Sequence, residues 1–526
     1  MADAETDLPV FAPSAARISL FRALLQASAR HGKSRIALED PERKPLSYGN
    51  LVLGALVLGR KLAGLTQQGE RVGLFLPNVQ GLAVTLFALT AFGRIPAMLN
   101  FTAGVKNLKA AADLAELKTI VTSRRFADQA KLDDELAAMG EGRRIVYLED
   151  VRKEITSLDK VFGVMQSLAP GLAHKPYEAK PDDAAVVLFT SGTEGKPKGV
   201  VLSHANLVSN ARQIFTLAAG FLSERDVVMN PLPAFHSFGL TAALLMPLFH
   251  GMKVVLYPSP LHYKQVPKLI GETGCTFLFA TDTFLQGYAR AAEPDDLRSV
   301  RYVVAGAERV KPDTRRMWAP YGTTILEGYG CTECSPVLAC NTPVATREGS
   351  VGRLLPGIEA RLEPVEGITE GGKLCVRGPN IMAGYLSADE PGKLISPEGG
   401  WHDTGDIVAI DDGFIVIKGR AKRFAKLGGE MVSLAAVESM VAGLWPGHNH
   451  VVVSLPDPRK GEQLVLVSEN PNADRAALQA VAKEQGFPEL WVPRAILVTA
   501  AIPVLGNGKI DYGATRELAA SRRSLL

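Results

Sequence analysis

The chain has 526 residues, of which 47% are hydrophobic and 21% charged, a soluble globular composition that excludes disordered and collagen-like classes. It is too long for a single hydrophobic core, so two or more domains are expected. A formal net charge of +3 is small for this length and argues against nucleic acid as a partner.

The first ten residues are acidic and polar, with no basic segment leading into an apolar one, so no signal peptide is read. From residue 71 onward, strand-like and helix-like patterns alternate. RVGLFLP (71–77), IPAMLN (95–100), KTIVTS (118–123) and RIVYLED (144–150) are apolar runs of strand length, with helical periodicity at 80–93. AVVLF (185–189), VVLY (254–257), TFLFA (276–280) and RYVVAG (301–306) repeat that grammar, with a helix expected near Asn206. Apolar strands alternating with helices predict a parallel α/β sheet. The apolar stretches 81–93 and 238–252 are too short to span a bilayer. Arg94 closes the first and the second contains Pro247 and His250, so both read as buried helices. A cytoplasmic protein is expected, with peripheral membrane contact left open.

The texture changes near residue 350. Short strands such as KLCVRG (373–378) and GFIVIKG (413–419) predict a small barrel-like piece. A small α+β segment follows Arg420, with strands at 450–455 and 495–498, a helix near 474–485 and a final helix. Five cysteines, Cys275, Cys331, Cys334, Cys340 and Cys375, form an odd, sparse set that fits free thiols in a reducing compartment. Three lie close together. A zinc site wants a further ligand at recognisable spacing, and no histidine is near in sequence, so these three are expected to be small buried apolar side chains.

The strongest local signal is LFTSGTEGKPKGVVLSH (188–204). An apolar strand enters a loop containing Thr190, Ser191, Gly192, Thr193, Gly195, Lys196 and Lys198. Glycines let backbone N–H groups converge on an anion, and the hydroxyls and lysines add donors and positive charge. This is a phosphate loop by composition, without the Walker A spacing. Further motifs follow: PAFHSFGL (233–240), AGAE (305–308), EGYGCTE (327–333), GWHDTGDI (400–407), KGRAKRFAKLGGEMVS (418–433) and GNGKID (506–511). In this order they resemble the adenylate-forming superfamily of acyl-CoA synthetases, firefly-type luciferases and peptide-synthetase adenylation domains.

That resemblance implies an ATP- and Mg²⁺-dependent enzyme with an N-terminal adenylate-forming domain, 1–420, and a mobile C-terminal domain, 421–526, hinged at Lys422. It implies that the loop holds the β- and γ-phosphates of ATP and that Tyr329 stacks on adenine beside Gly306, Ala307 and Glu308. Thr332 would bond the α-phosphate and Glu333 would hold Mg²⁺. Asp406 and Arg420 would fix the ribose, His236 would sit at the acyl pocket, and Lys509 would reach the reacting groups. Position 330 carries Trp in acetate-specific relatives; Gly330 implies an open pocket and a medium- or long-chain fatty acid.

PAFHSFGLT, LYPSPLHYKQVP, GPNIMAGYL and GRAKRFAKLGGEMVSLAAVE also resemble the synthetase half of a bacterial bifunctional acyl-ACP synthetase/2-acylglycerophosphoethanolamine acyltransferase. That implies acyl carrier protein as thiol acceptor, with CoA second. Lys418, Arg420, Lys422, Arg423 and Lys426 would steer the acidic carrier by long-range attraction. The sequence carries no H-x-x-x-x-D motif, so a phospholipid acyltransferase step is not expected of this chain. A component of lipid remodelling and a non-catalytic adenylate-binding protein are the readings of another class.

Overall fold

The computed structural model describes residues 10–191, 197–366, 368, 370–427, 430–457, 461–485, 487–504 and 510–522. Four of the apolar runs form parallel neighbours in the order Ile95–Met98, Arg71–Leu74, Thr119–Thr122, Arg144–Tyr147. In the first three the side chains are buried almost throughout, which is why they read as continuous apolar runs with no polar alternation; in Arg144–Tyr147, at the sheet edge, only Val146 is fully buried. Ala184–Ser191 adds in parallel beside Ile95–Met98. It then turns into Pro197–Ser203, which returns antiparallel. Gly384–Leu386, almost two hundred residues later in the chain, pairs with Pro197–Ser203, and Leu394–Ile395 closes that edge.

A second sheet uses the same principle. Lys253–Leu256, Val227–Asn230, Phe277–Ala280, Tyr302–Ala305 and Thr324–Gly330 run parallel in that order. Ile36–Glu39 joins Lys253–Leu256 in parallel, and Val337–Cys340 folds back antiparallel on Thr324–Gly330.

Helices Leu20–His31, Tyr48–Ala63 and Gln80–Ala91 share one core with the inner faces of both sheets, including Leu74, Leu188 and Val200 from one and Leu38, Val254 and Leu256 from the other. The opposite faces carry helices of their own, Val105–Leu114 on the first sheet and Gln265–Thr273 with Asp282–Ala291 on the second. Several helices begin at a Ser or Thr whose oxygen accepts an otherwise unpaired N–H. His204–Ala218 shows the full reciprocal cap, with Ser203 Oγ accepting from Asn206 N and the Asn206 side chain accepting from Ser203 N.

The stretch 238–252 is helical as far as Phe249 and largely buried, in wide π-type turns over Phe238–Leu245 followed by Met246–Phe249, and 250–252 turn out of the helix. Residues 148–150 begin the helix Leu148–Lys153 and do not extend the strand before it.

The chain forms two compact units: residues 1–359 with 377–402, and residues 360–376 with 403–526. From residue 403 on, the second therefore takes in the hairpin of strands His402–Asp411 and Phe414–Arg420, which lies before residue 421, while His402 itself stays with the first unit. Its C-terminal sheet joins Glu430–Ser433, Phe424–Leu427, Gly461–Ser468 and His450–Asp457, with Ala495–Val498 also on Gly461–Ser468. Helices Leu434–Leu444 and Arg475–Glu484 cover one face and Tyr512–Ser521 the other. The molecule is thus a large α/β body of two sheets with a smaller α+β body after it. Among the described residues no helix is long and apolar enough to cross a membrane.

Candidate active site

In open α/β sheets, ligands bind beyond the carboxyl ends of the strands. Two neighbouring strands of the second sheet end there in motif residues. Tyr302–Ala305 leads into Gly306, Ala307 and Glu308, and Thr324–Gly330 leads into Cys331 and a single turn, Thr332–Cys334. Ala305 lies opposite Glu327 in the register, so the two motif segments emerge side by side. Gly306 N–H donates to the Ala280 carbonyl at 3.2 Å. A Cβ at this glycine would stand 3.2 Å from the Phe238 ring, which is tight packing against the 233–240 segment. Ala307 adopts φ 68°, a conformation costly for a non-glycine residue and one that concentrates at functional loops. The Glu308 carboxylate accepts from both the N–H and the hydroxyl of Thr283 at 2.9 Å, so it caps helix Asp282–Ala291 as well as flanking the loop.

The 233–240 segment packs against both strand ends. Ser237 Oγ donates to Thr332 Oγ1 at 3.4 Å. Phe238 meets Phe279 edge to face at 5.5 Å, and His236, half-buried, packs edge to face on Phe235 at 4.7 Å. Tyr329 is buried.

The first sheet reaches the same turn by a route the motifs did not reveal. Segment 379–385 is stitched to it. Asn380 Nδ2 donates to the Cys334 carbonyl at 2.8 Å, Met382 N–H to the Glu333 carbonyl at 2.8 Å, and the Tyr385 hydroxyl to Glu333 Oε1 at 2.8 Å. Tyr385 sits opposite Val200, and the Lys198 ammonium lies over its ring, 4.9 Å from the centroid. Lys198 in turn faces Thr190 across the hairpin. A continuous contact therefore runs from the phosphate-type hairpin through Lys198 and Tyr385 to Glu333. Burial, followed by the charge of Glu333, pushes the Tyr385 hydroxyl well above its ordinary pKa, so it stays a proton donor to that carboxylate. One Glu333 oxygen is oriented by this bond, and a carboxylate of this kind is the hard oxygen donor that Mg²⁺ takes. Gly192, Thr193, Gly195, Lys196 and Lys509 lie outside the described residues, as does the side chain of Ser191.

Two sequence expectations need correction here. Cys331 and Cys334 do meet a histidine. The two sulfurs are 3.3 Å apart, and His402 Nε2, from seventy-one residues further on, lies 3.8 Å from Cys331 Sγ. Cys340 points elsewhere, donating to the Asn341 carbonyl at 3.2 Å. Gly330 is not a simple gap in a pocket wall. A Cβ built there falls 1.9 Å from the Pro336 carbonyl oxygen, so any side chain at 330 requires that backbone to move.

In the second unit Asp406 and Arg420 face one another across the hairpin. The buried Asp406 carboxylate is 3.3 Å from Arg420 Nε, and the Arg420 side chain is 74% exposed. The cation cluster expected to steer a carrier protein is largely paired within the same unit. Lys418 lies 3.8 Å from Glu370, Lys426 3.0 Å from Glu366, and Arg423, its side chain only 14% exposed, binds Glu438 and donates to the Val452 carbonyl at 2.9 Å. The Arg423 guanidinium also stacks 3.9 Å over the Tyr512 ring. Arg423 holds the unit together and presents no surface charge. The side chain of Lys422 lies outside the described residues.

Comparison with known proteins gives a consistent result. A family model described as AMP-binding enzyme matches residues 25–386. Feruloyl-CoA synthase of Amycolatopsis sp is 29% identical over 505 residues, covering 93% of this chain and 95% of that protein. Medium-chain fatty-acid–CoA ligase of Escherichia coli (strain K12) is 26% identical over 507 residues, covering 92% and 88%. The solved structure of ATP-bound MatB from Rhodopseudomonas palustris superposes with a TM-score of 0.80 at 24% identity, covering 96% of this chain and 99% of that one; this likeness concerns the fold.

Arg423→Glu sets two carboxylates together in a buried place, and losing one partner of such a pair commonly costs about 3–5 kcal/mol. The expected outcome is a lower urea midpoint for the second unit, while Arg423→Met combined with Glu438→Gln, which removes both charges together and keeps the acceptor for Val452 N–H, retains most of the stability. Full stability of Arg423→Glu with a weakened acceptor interaction would return this residue to the surface role.

Proposed function

The chain belongs to the family of AMP-binding enzymes, and from that premise we propose that it is an ATP-dependent, AMP-forming acid–thiol ligase. The observation that carries this reading is the convergence of Thr332, Glu333, Tyr385 and Lys198 at one turn beside the phosphate-type hairpin. In this reading a substrate carboxylate oxygen attacks the α-phosphorus of ATP. The new P–O bond forms as the bond to the β-phosphate bridge breaks, and pyrophosphate leaves with the electron pair. Thr332 donates to the α-phosphate, Lys198 and the hairpin backbone hold the leaving phosphates, and Lys509 meets the growing charge. Preorganised donors of this kind act by position and electrostatics. Mg²⁺ held at Glu333 supplies charge neutralisation on the phosphates when bound. Tyr329, Gly306 and Ala307 hold the adenine, and Asp406 with Arg420 the ribose. A thiol then attacks the acyl carbonyl and AMP departs, the C-terminal domain, 421–526, pivoting at Lys422 between the two steps.

The acid is a medium- or long-chain fatty acid on this reading. Support comes from the medium-chain fatty-acid ligase among the relatives; for such an acid each methylene buried on binding contributes ~0.8 kcal/mol. Relatives also include a feruloyl-CoA synthase and a sulfoacetate–CoA ligase, so the family alone does not choose the acid. CoA is the acceptor favoured here, because the relatives compared are named CoA ligases and the basic cluster is paired. Acyl carrier protein is the second reading, supported by the resemblance of 418–433 to the carrier-loading synthetase. AMP release measured over a panel of acids, each with CoA and with carrier protein, decides between them. The expected result is turnover with octanoate or longer acids and CoA. Release of AMP with carrier protein alone would transfer the assignment, and no AMP with any acid would refute ligase activity.

Peripheral membrane contact completes the proposal. Helix Ser157–Leu168 turns small and polar residues inward, with Gly163 packed so closely that a Cβ would meet Val57 at 2.3 Å. Leu158, Val161, Phe162, Met165 and Leu168 are exposed along it at helical spacing, a stripe that ordinarily faces a core. Arg152, Lys153, Lys160 and Lys175 lie near it in sequence among Glu149, Asp150, Glu154, Asp159 and Glu178, so it is the apolar stripe that fits this face to a bilayer in which fatty acids reside. The protein should co-sediment with vesicles of phosphatidylglycerol and phosphatidylcholine. Met165→Asp with Leu168→Asp should abolish this, and wild-type protein left in the supernatant would exclude the bilayer.

A further inference from the structure

The turn that carries Thr332 and Glu333 is bounded by two cysteines. Cys331 and Cys334 are three residues apart across a single helical turn, a spacing that brings both sulfurs to one side, as in the knuckles of thiolate metal sites. His402, at the start of a strand that the sequence places far away, delivers its Nε2 to the same point. The two sulfurs and one imidazole nitrogen all lie within 4.8 Å of one another. Cys334 is fully buried and His402 nearly so.

A tetrahedral zinc ion sits about 2.3 Å from sulfur and about 2.0 Å from nitrogen, which separates its ligand atoms by roughly 3.5–3.8 Å. The observed spacings, 3.3 Å between sulfurs and 3.8 Å from sulfur to nitrogen, need only a small parting of the thiols. We propose that Cys331, Cys334 and His402 form a three-ligand site for a soft divalent metal ion of the zinc class, distinct from the Mg²⁺ held at Glu333.

The donor chemistry separates the two ions. Thiolates and imidazole select zinc-like metals, whereas magnesium demands oxygen. The fourth position goes to water or a small anion. Binding replaces the thiol protons by the metal and fixes both ends of the turn that holds Thr332 and Glu333. Its coupling to adenylation rests on the proposed function; metal binding itself does not.

Cobalt(II) reports such a site directly, because a tetrahedral thiolate environment gives intense visible ligand-field bands and a sulfur-to-metal charge-transfer band. Titrating Co²⁺ into the phosphine-reduced full chain should develop both with one equivalent per chain, and Zn²⁺ should bleach them. Cys334→Ser and His402→Gln should each weaken binding at least 100-fold, while Cys340→Ser leaves the titration unchanged. A second measurement is independent of variant folding: one equivalent of Zn²⁺ should protect Cys331 and Cys334 of the wild type from iodoacetamide, read by peptide mass spectrometry. Absence of the cobalt bands, or alkylation of both cysteines undiminished by Zn²⁺, would overturn the site.

Discussion

The hydrogen bond from Tyr385 to Glu333 is the interaction on which the arrangement of the large unit turns. Tyr385 belongs to one sheet and Glu333 to the turn that follows a strand of the other, so this 2.8 Å contact sets the position of that turn against the phosphate-type hairpin. It does not act alone. The backbone bond from Met382 to Glu333 and the Asn380 amide to Cys334 fix the same segment, and the Asn206 amide holds the Pro379 carbonyl at 2.9 Å. A charge-assisted hydrogen bond is worth about 1.5–3 kcal/mol. Its larger effect is positional, because catalysis by preorganised donors is lost when they drift by an ångström.

This arrangement explains why the fold needs its irregular features there. The edge strand Gly384–Leu386 must approach Pro197–Ser203 closely enough that a Cβ at Gly199 would press within 2.8 Å of the Leu386 side chain. The turn after Thr324–Gly330 must double back at once, and Gly330, against the Pro336 carbonyl, leaves no room for a side chain. The wide-turned helix Phe238–Leu245 brings Phe238 against Gly306 while Ser237, just before it, reaches Thr332. These residues serve geometry at the strand ends, where a parallel sheet places its chemistry.

Much of the framework was legible because burial on both faces writes a strand as an unbroken apolar run. Residues 71–74, 95–98, 119–122 and 302–305 could be read from that alone, and the motif order implied the superfamily. What stayed hidden depended on pairing between distant segments. Tyr385 gains its role from the register of 384–386 on 197–203, which no local pattern encodes. His402 meets Cys331 only through the fold, so a cysteine trio in sequence became a cysteine pair and a histidine in space. The basic run 418–426 looked like a docking surface because charges in sequence carry no record of their partners; Glu366, Glu370, Asp406 and Glu438 supply them. Leu148 begins a helix where the apolar run predicted strand, since strand length is fixed by neighbours as well as by hydropathy.

The central claim is that the turn at 332–333 activates a carboxylic acid through ATP and depends on Tyr385 for its alignment. Acid-dependent ATP–pyrophosphate exchange, measured without any thiol across a Mg²⁺ titration, tests it on wild type and Tyr385→Phe. The account predicts exchange in the wild type only with both acid and Mg²⁺ present, and in Tyr385→Phe a rate about 10- to 100-fold lower, as expected for loss of one hydrogen bond to a charged group, with more Mg²⁺ required. Wild-type exchange that needed a thiol, or a Tyr385→Phe protein indistinguishable from wild type at every Mg²⁺ concentration, would contradict it.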